Sequence, residues 1–469
     1  MMIRRFTHGA RTVALAAALF PAMIGAQFSL LELQPTDLSQ LPETPSVSWN
    51  LGPTGLRGWV LGSKGDSAAS REILVVSVDP GSPAANKIQP FDILTGVGGR
   101  PFTADARRSF GEAIAPAEVG DGVLTVTRWR KGIHEEIQLQ IGKLPAFADS
   151  GKCLKSEGIL ARSANYVAAG MPKGGFSGVF GSFDALFLMA AGNPEHMDEV
   201  RDSAHRITDA VLASKRDPSL PNWEWSHQGI FLAEYYLATK DRKVLPGLQK
   251  LVDHLEAGQA ASGSWGHSPA VKGQTKGYGE VNSVGLTCLM TLTLARECGL
   301  KVTPENHERG YLFFRRYMGI GSIPYGDHEP WLQTHAANGK NAGAAIAMML
   351  IGDREAAGYF SRMTAASVDE REQGHTGNFF SYFWGPAGVG IEGDAALADF
   401  LKPQRWYYDL ARRWDGSFIT QPWPHKAEGK NAMTSYINRG PLACTPSIAM
   451  AYAVPLKKLR IFGRAPENG

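Results

Sequence analysis

Two periodicities divide the chain. Between residues 73 and 141, Ile73-Leu74-Val75-Val76-Ser77-Val78 and the segment 123–129 are apolar, largely β-branched runs bounded by turn residues, and Glu136-Ile137-Gln138-Leu139-Gln140-Ile141 alternates strictly. That is the period-two pattern of strands with one buried face. A single helical pattern, 105–115, lies between them, and Pro116 is expected to stop it. From Cys153 onward the pattern changes to long apolar helices at 183–191, 230–238, 284–295, 344–351, 395–401 and 447–454, whose starts are 47 to 60 residues apart. A repeat of that size is one helical hairpin plus a long loop. Second helices are expected at 200–214, 244–256, 305–317 and 404–414. Six Ala- and Gly-rich helices inside and more charged ones outside suggest a closed ring, because small residues let helices crowd around one axis.

Length and composition fit this partition. A chain of 469 residues exceeds one ordinary core, so two domains are expected, at 51–146 and 153–460, after a Pro-, Ser-, Thr- and Gln-rich linker at 27–50. The 43% hydrophobic and 20% charged shares describe a globular chain. A net charge of +3, with no basic block beyond the first dozen residues, argues against a nucleic-acid partner. Arg4 and Arg5, the apolar stretch 12–20 and the small residues ending at Ala26 form the three parts of a secretory signal peptide at 1–26. Export to the periplasm or beyond follows, and no transmembrane segment remains after the signal is removed. Four cysteines with no C-x-x-C pair give no metal site, and no cofactor is implied. A Cys153–Cys444 bridge and four free thiols both stay open.

The first domain resembles a PDZ domain of the bacterial periplasmic-protease type over residues 50–146. Asp79-Pro80-Gly81-Ser82-Pro83-Ala84 matches that family's turn, Phe91-Asp92-Ile93-Leu94 its following strand step, and Gly98-Gly99-Arg100-Pro101 its next turn. The resemblance implies that a peptide C-terminus is held on backbone N–H groups while the peptide adds a strand to the sheet. Leu56, Gly58 and Trp59 in Gly55-Leu56-Arg57-Gly58-Trp59 would form the carboxylate loop, and Phe110 and Ile114 would face the peptide. A fold used only for packing against the second domain is the alternative.

The second domain is similar in architecture to the α/α toroid of terpenoid cyclases and protein prenyltransferases, with the Gly263-Ser264-Trp265 element like the loops of the cyclases. An acidic D-x-D-D run is absent from the sequence, and Cys288 and Cys298 lie ten apart on one helix, so neither catalytic signature is present. The whole chain looks like exported bacterial proteins of PDZ-plus-toroid build.

Two constellations carry candidate chemistry. His335-Ala336-Ala337-Asn338-Gly339-Lys340-Asn341-Ala342 recurs ninety residues later as His425-Lys426-Ala427-Glu428-Gly429-Lys430-Asn431-Ala432. Lys340, Asn341, Lys430 and Asn431 would then sit at helix N-termini, where free N–H groups favour an anion; repeated helix caps are the plainer reading. Glu280, Glu392 and Asp394 interrupt apolar sequence at helix starts and are candidate acid/base groups, with dipole capping as the alternative. His335 and His375 join them as candidate catalytic groups, and Trp265, Tyr278 and His267 as ligand contacts. Eight of the eleven tryptophans lie in the second domain, and aromatic faces suit sugar rings or apolar chains. The first expectation is therefore an exported protein that binds peptide C-termini and presents a ligand cavity. The second is a glycoside hydrolase or polysaccharide lyase, and terpenoid or prenyl chemistry ranks last.

Overall fold

The computed structural model describes residues 47–60, 70–103, 105–148, 153–171, 178–215, 217, 220–277, 279–335, 339–368, 379–424 and 440–466. The expected signal peptide, most of the linker, and Tyr278, His375, Lys430 and Asn431 lie outside these residues.

The N-terminal part is a wholly antiparallel sheet. Its strands are β1 (Val47–Asn50), β2 (Leu56–Trp59), β3 (Ile73–Val78), β4 (Ile93–Val97), β5 (Arg100–Pro101), β6 (Val123–Arg130) and β7 (Ile133–Gln140). The order is β7-β6-β4-β3-β2-β1, with β5 beside β4. Alternation sets which side chains are buried: Ile73 and Val75 face the main core, whereas Leu74, Ile93, Trp129 and the half-buried Trp59 form a second small cluster. Helix α1 (Ala106–Val119) starts at the Asp105 cap, whose carboxylate accepts the Arg107 N–H at 3.0 Å. It does not stop at Pro116 but runs one further turn. A proline's missing N–H and its ring disturb the turn before it, but its carbonyl still accepts, and Gly120 N–H closes the next turn on Pro116 O at 3.0 Å.

The C-terminal part contains thirteen helices among the described residues: α2 (Leu154–Ala169), α3 (Gly178–Ala191), α4 (Met197–Ala213), α5 (Pro221–Thr239), α6 (Leu245–Ala257), α7 (Asn282–Glu297), α8 (Pro304–Arg315), α9 (Lys340–Ile351), α10 (Arg354–Ala366), α11 (Phe379–Gly390), α12 (Asp394–Leu401), α13 (Arg405–Ala411) and α14 (Pro441–Ala453). Contacts run in a closed cycle, α3 to α5, α7, α9, α11, α14 and back to α3. The intervening helices α2, α4, α6, α8 and α10 wrap this cycle. The fifth helix of the cycle is α11, not the expected 395–401 stretch, which forms α12 outside it. Gly385, Pro386, Gly388 and Gly390 make 379–390 look like loop, but burial of its aromatic side chains keeps it helical.

Neighbours in the cycle run the same way. Ser226 Oγ meets Thr287 Oγ1 at 2.8 Å near the starts of α5 and α7, and the Cys298 thiol lies 3.7 Å from Ala233 O near their ends. Loop carbonyls satisfy the helix starts: Asn222 donates to Gly266 O at 2.9 Å, and Asn282 to Pro324 O and Gly326 O at 3.0 and 2.9 Å. These bonds occupy N–H groups and loop oxygens that burial would otherwise leave unpaired. At the other end of the axis the chain's last described turn closes the cycle. Leu459 and Ile461 are fully buried, and the N–H groups of Arg460 and Ile461 donate to the buried Glu234 carboxylate of α5 at 2.9 and 2.8 Å.

The two parts are welded together. A strand from the second part, β8 (Trp423–Pro424), extends the sheet by pairing with β1. Gln421 exchanges hydrogen bonds with the Asn50 backbone at 2.7 and 3.1 Å, and Asp79 accepts from Arg413 at 2.6 Å. Helix α1 packs on α13 so closely that a Cβ on Gly111 would overlap Trp406 O. The Arg107 guanidinium lies 4.4 Å from the Trp49 ring centre and 5.8 Å from that of Trp406.

Candidate functional site

The sheet edge expected to receive a peptide is already filled. β2 pairs with β3 on one side and with β1 on the other, in the register Trp49 to Gly58 and Asn50 to Arg57. Leu56, Phe110 and Ile114 are completely buried, with Ile114 packed against Gly52. A Cβ on Gly58 would overlap Ile73, and Trp59 packs on Leu74, Ile93 and Trp129. In the presumed carboxylate loop, the Leu56 N–H is already bonded to Thr54 Oγ1 at 3.1 Å. These five residues form core, strand pairing and interface in place of an open groove.

The expected acidic groups do not converge either. Glu280 precedes α7 and accepts from Ser262 Oγ at 2.9 Å. Glu392 and Asp394 are exposed and follow the end of α11, with Asp394 3.6 Å from the Lys457 ammonium. The starts of α7 and α9 bind one loop, 322–326, through Asn282 and Asn341. α9 and α11 advance together, Gly339 beside Trp384 and Ala342 beside Gly388. Glu280 is therefore at one end of the cycle and Glu392 and Asp394 at the other, separated by a twelve-residue helix of about 18 Å.

Asn341 and Trp265 are structural. Asn341 is fully buried, accepts Ile323 N–H at 3.0 Å and donates to Ser322 Oγ and His335 O at 3.2 and 3.3 Å. Trp265, equally buried, donates to Leu255 O at 2.7 Å. All four cysteines are thiols. The Cys153 sulfur caps α2, accepting from Ala148 and Ser156 N–H at 3.4 and 3.5 Å, so it does not bridge to Cys444.

What the fold does gather, at the end where the cycle's helices begin, is an aromatic and imidazole cluster. Positions 223, 227, 230 and 234 form one face of α5. Trp223 and His227 on that face meet residues from α11, which is three steps from α5 either way round and so opposite it in the cycle. Trp223 stacks on Phe380 with ring centres 4.7 Å apart, and His227 lies 6.3 Å from Trp384. Phe183 of α3 completes the box, 4.8 Å from His227 and 4.1 Å from Phe383. Contacts between non-neighbouring helices can only cross the axis, so this box closes the middle of the ring.

Around it lie His267, Lys340, His335 and Trp331. Trp223 Nε1 donates to His267 Nδ1 at 2.8 Å. Gly339, in the left-handed conformation at φ 65°, brings the start of α9 within 2.6 Å of Phe380 O, a spacing measured to the place a Cβ would take. The adjoining Lys340 is buried, its ammonium 5.1 Å from the Trp331 ring, and His335 stands edge-on to the same ring at 4.1 Å. Trp223, His267, Phe380, Trp331 and His335 are half-buried and form the accessible rim. Burial, and then the Lys340 charge, lower the His335 pKa.

His227 is the most unusual member. It is fully buried, and its Nδ1–H donates to Trp223 O one turn earlier at 2.7 Å. Nε2 has no hydrogen-bond partner among the described residues. Burial lowers its pKa to about 4, so the ring is neutral at pH 7. Among the described residues no group of three His, Cys, Asp or Glu side chains is placed to hold a metal ion, and no helix is long and apolar enough to cross a membrane.

A family model described as a domain of unknown function, DUF6288, matches residues 156–463. Neither the curated proteins nor the solved structures contain a match to the chain.

Proposed function

Because the chain belongs to the DUF6288 family, whose description names no activity, we propose from geometry that it is an exported saccharide-binding protein with its ligand site at the aromatic end of the ring. In this reading the helical part is an α/α toroid, and the sheet is a PDZ-like module that serves as a fixed buttress. The filled β2 edge and the buried α1 face support a packing role over peptide capture.

One observation carries the proposal: the half-buried Trp223 and Phe380 rings span the ring axis above a neutral histidine, with imidazoles and an ammonium around them. Flat aromatic faces accept the apolar faces of a sugar ring, and imidazole nitrogens suit its hydroxyl edges. Binding is favoured over hydrolysis, because a glycosidase needs two carboxyl groups about 5 to 10 Å apart and Glu280 has no such partner in Glu392 or Asp394.

The test is a panel of neutral and acidic oligosaccharides titrated against the full chain, with intrinsic tryptophan fluorescence and calorimetry as readouts. Saturable binding that Trp223→Ala weakens by tenfold or more supports the proposal. No binding across the panel, or binding indifferent to Trp223, ends it.

A further inference from the structure

Within the aromatic box, one buried polar atom stands out among the described residues because no hydrogen bond reaches it, His227 Nε2. The 2.7 Å bond to Trp223 O fixes the proton on Nδ1, because a carbonyl can only accept, and so Nε2 carries a lone pair. Around the imidazole that carries this lone pair lie Phe183, Trp223, Phe380 and Trp384, with ring centres 4.8, 5.9, 6.1 and 6.3 Å away. None of these rings offers it an N–H in the structure, and the nearby Ser226 hydroxyl lies on the Nδ1 side, 2.8 Å from Thr287 Oγ1. A buried acceptor left unpaired costs stability, and phenylalanine would fill the same box without that cost.

We propose that His227 Nε2 is the polar anchor of the ring's ligand, accepting a hydrogen bond from a hydroxyl of a sugar seated at the rim. The inference rests on the saccharide reading above and adds the group that orients the sugar. Trp223 and Phe380, both half-buried members of the rim, have ring centres 5.9 and 6.1 Å from the imidazole, so a sugar seated on them lies next to His227. The fixed tautomer and the low pKa keep the acceptor available throughout the neutral range. Because Nδ1 is committed to the helix backbone, the site selects an O–H or N–H donor and rejects a bare carbonyl or ether oxygen at that point.

The experiment compares His227→Phe, His227→Gln and the wild-type full chain by thermal unfolding without ligand and by titration with the oligosaccharides of the panel. The expected result is that His227→Phe melts at or above the wild-type temperature while its affinity falls at least about tenfold. His227→Gln, which keeps an acceptor oxygen, should recover part of that loss. A lower melting temperature for His227→Phe would show that Nε2 serves the fold and would overturn the inference. So would unchanged affinity in His227→Phe alongside weakened binding in Trp223→Ala, a result that leaves the saccharide reading standing. Absence of wild-type binding to the whole panel removes both.

Discussion

Glu118 and Arg412 are 294 positions apart in the chain, yet the Arg412 guanidinium donates to both Glu118 carboxylate oxygens, at 2.8 and 2.9 Å. Lys155 reaches the same carboxylate at 2.7 Å, and Asp409 accepts from Arg412 at 2.8 and 3.0 Å. All four side chains are buried, two of each sign, and they come from α1, α2, α13 and the residue following α13. Burial raises the Asp409 pKa, opposed by Arg412 and Lys155.

This quartet should behave as one unit. Arg412→Met leaves a buried excess negative charge and should cost about 3 to 5 kcal/mol, measured by chemical denaturation. Replacing Glu118 by Gln in the same chain should restore part of that loss, because charge balance returns. A cost below about 1 kcal/mol for Arg412→Met would contradict a buried, water-free network.

Stability should respond to pH in two opposed ways. Burial raises the Glu234 pKa to about 7, against the opposing N–H groups of Arg460 and Ile461 and the charges of Arg464 and Arg460. The folded protein therefore holds an extra proton between about pH 4.5 and 7. Glu234's contribution is present at the acid side of that window and fades as pH rises through 7, by about 3 kcal/mol at most. Burial lowers His227 and His307 to about 4, so their contribution is present above pH 6.5 and fades on acidification. Melting curves from pH 5 to 8 should show Glu234→Gln gaining on wild type as pH rises. A difference independent of pH would refute the assignment.

Asn282 ties the start of α7 to the loop that carries Tyr325 and His328, through two carbonyl oxygens. Asn282→Ala should cost about 1 to 3 kcal/mol and speed amide exchange across residues 321–335, with little change around Trp265. Hydrogen-exchange mass spectrometry separates the two segments. Equal acceleration in both would mean that the helix start, not the loop, depends on this side chain.

Thiol labelling should single out Cys153. Burial pushes its thiol up, but the hydrogen bonds from Ser156 and from the N–H groups of Ala148 and Lys155 outweigh that and lower it. Burial raises Cys298 to about 12 and holds Cys288 well above the usual thiol range. In the native chain iodoacetamide should modify Cys153 first, and Cys153→Ser should remove the fast phase. Fast modification of Cys288 would show that the ring opens.

The sequence carried the two-part organisation well and the site poorly. Helices α4 and α6 lie within a few residues of their expected bounds, because their charged outer faces and apolar inner faces repeat with helical period. Helix α11 is missing from the expected helices because its apolar aromatics show no polar face. Any residue surrounded on all sides loses that contrast. His227 belongs to no motif of the sequence; the signal that marks it is its place, with Glu234, on the stripe 223, 227, 230, 234 of one helix.

What the amino-acid order determined by itself was therefore local: strands where apolar residues alternate, helices where they recur every three or four, and a hairpin unit repeated along the second part. Only the tertiary structure decided what covers each face. β1 took the edge of β2, α13 covered α1, and Trp223 met Phe380 across the axis. Periodicity reports that a face is buried, while the partner that buries it, whether the next strand or a helix far along the chain, leaves no mark in either segment alone.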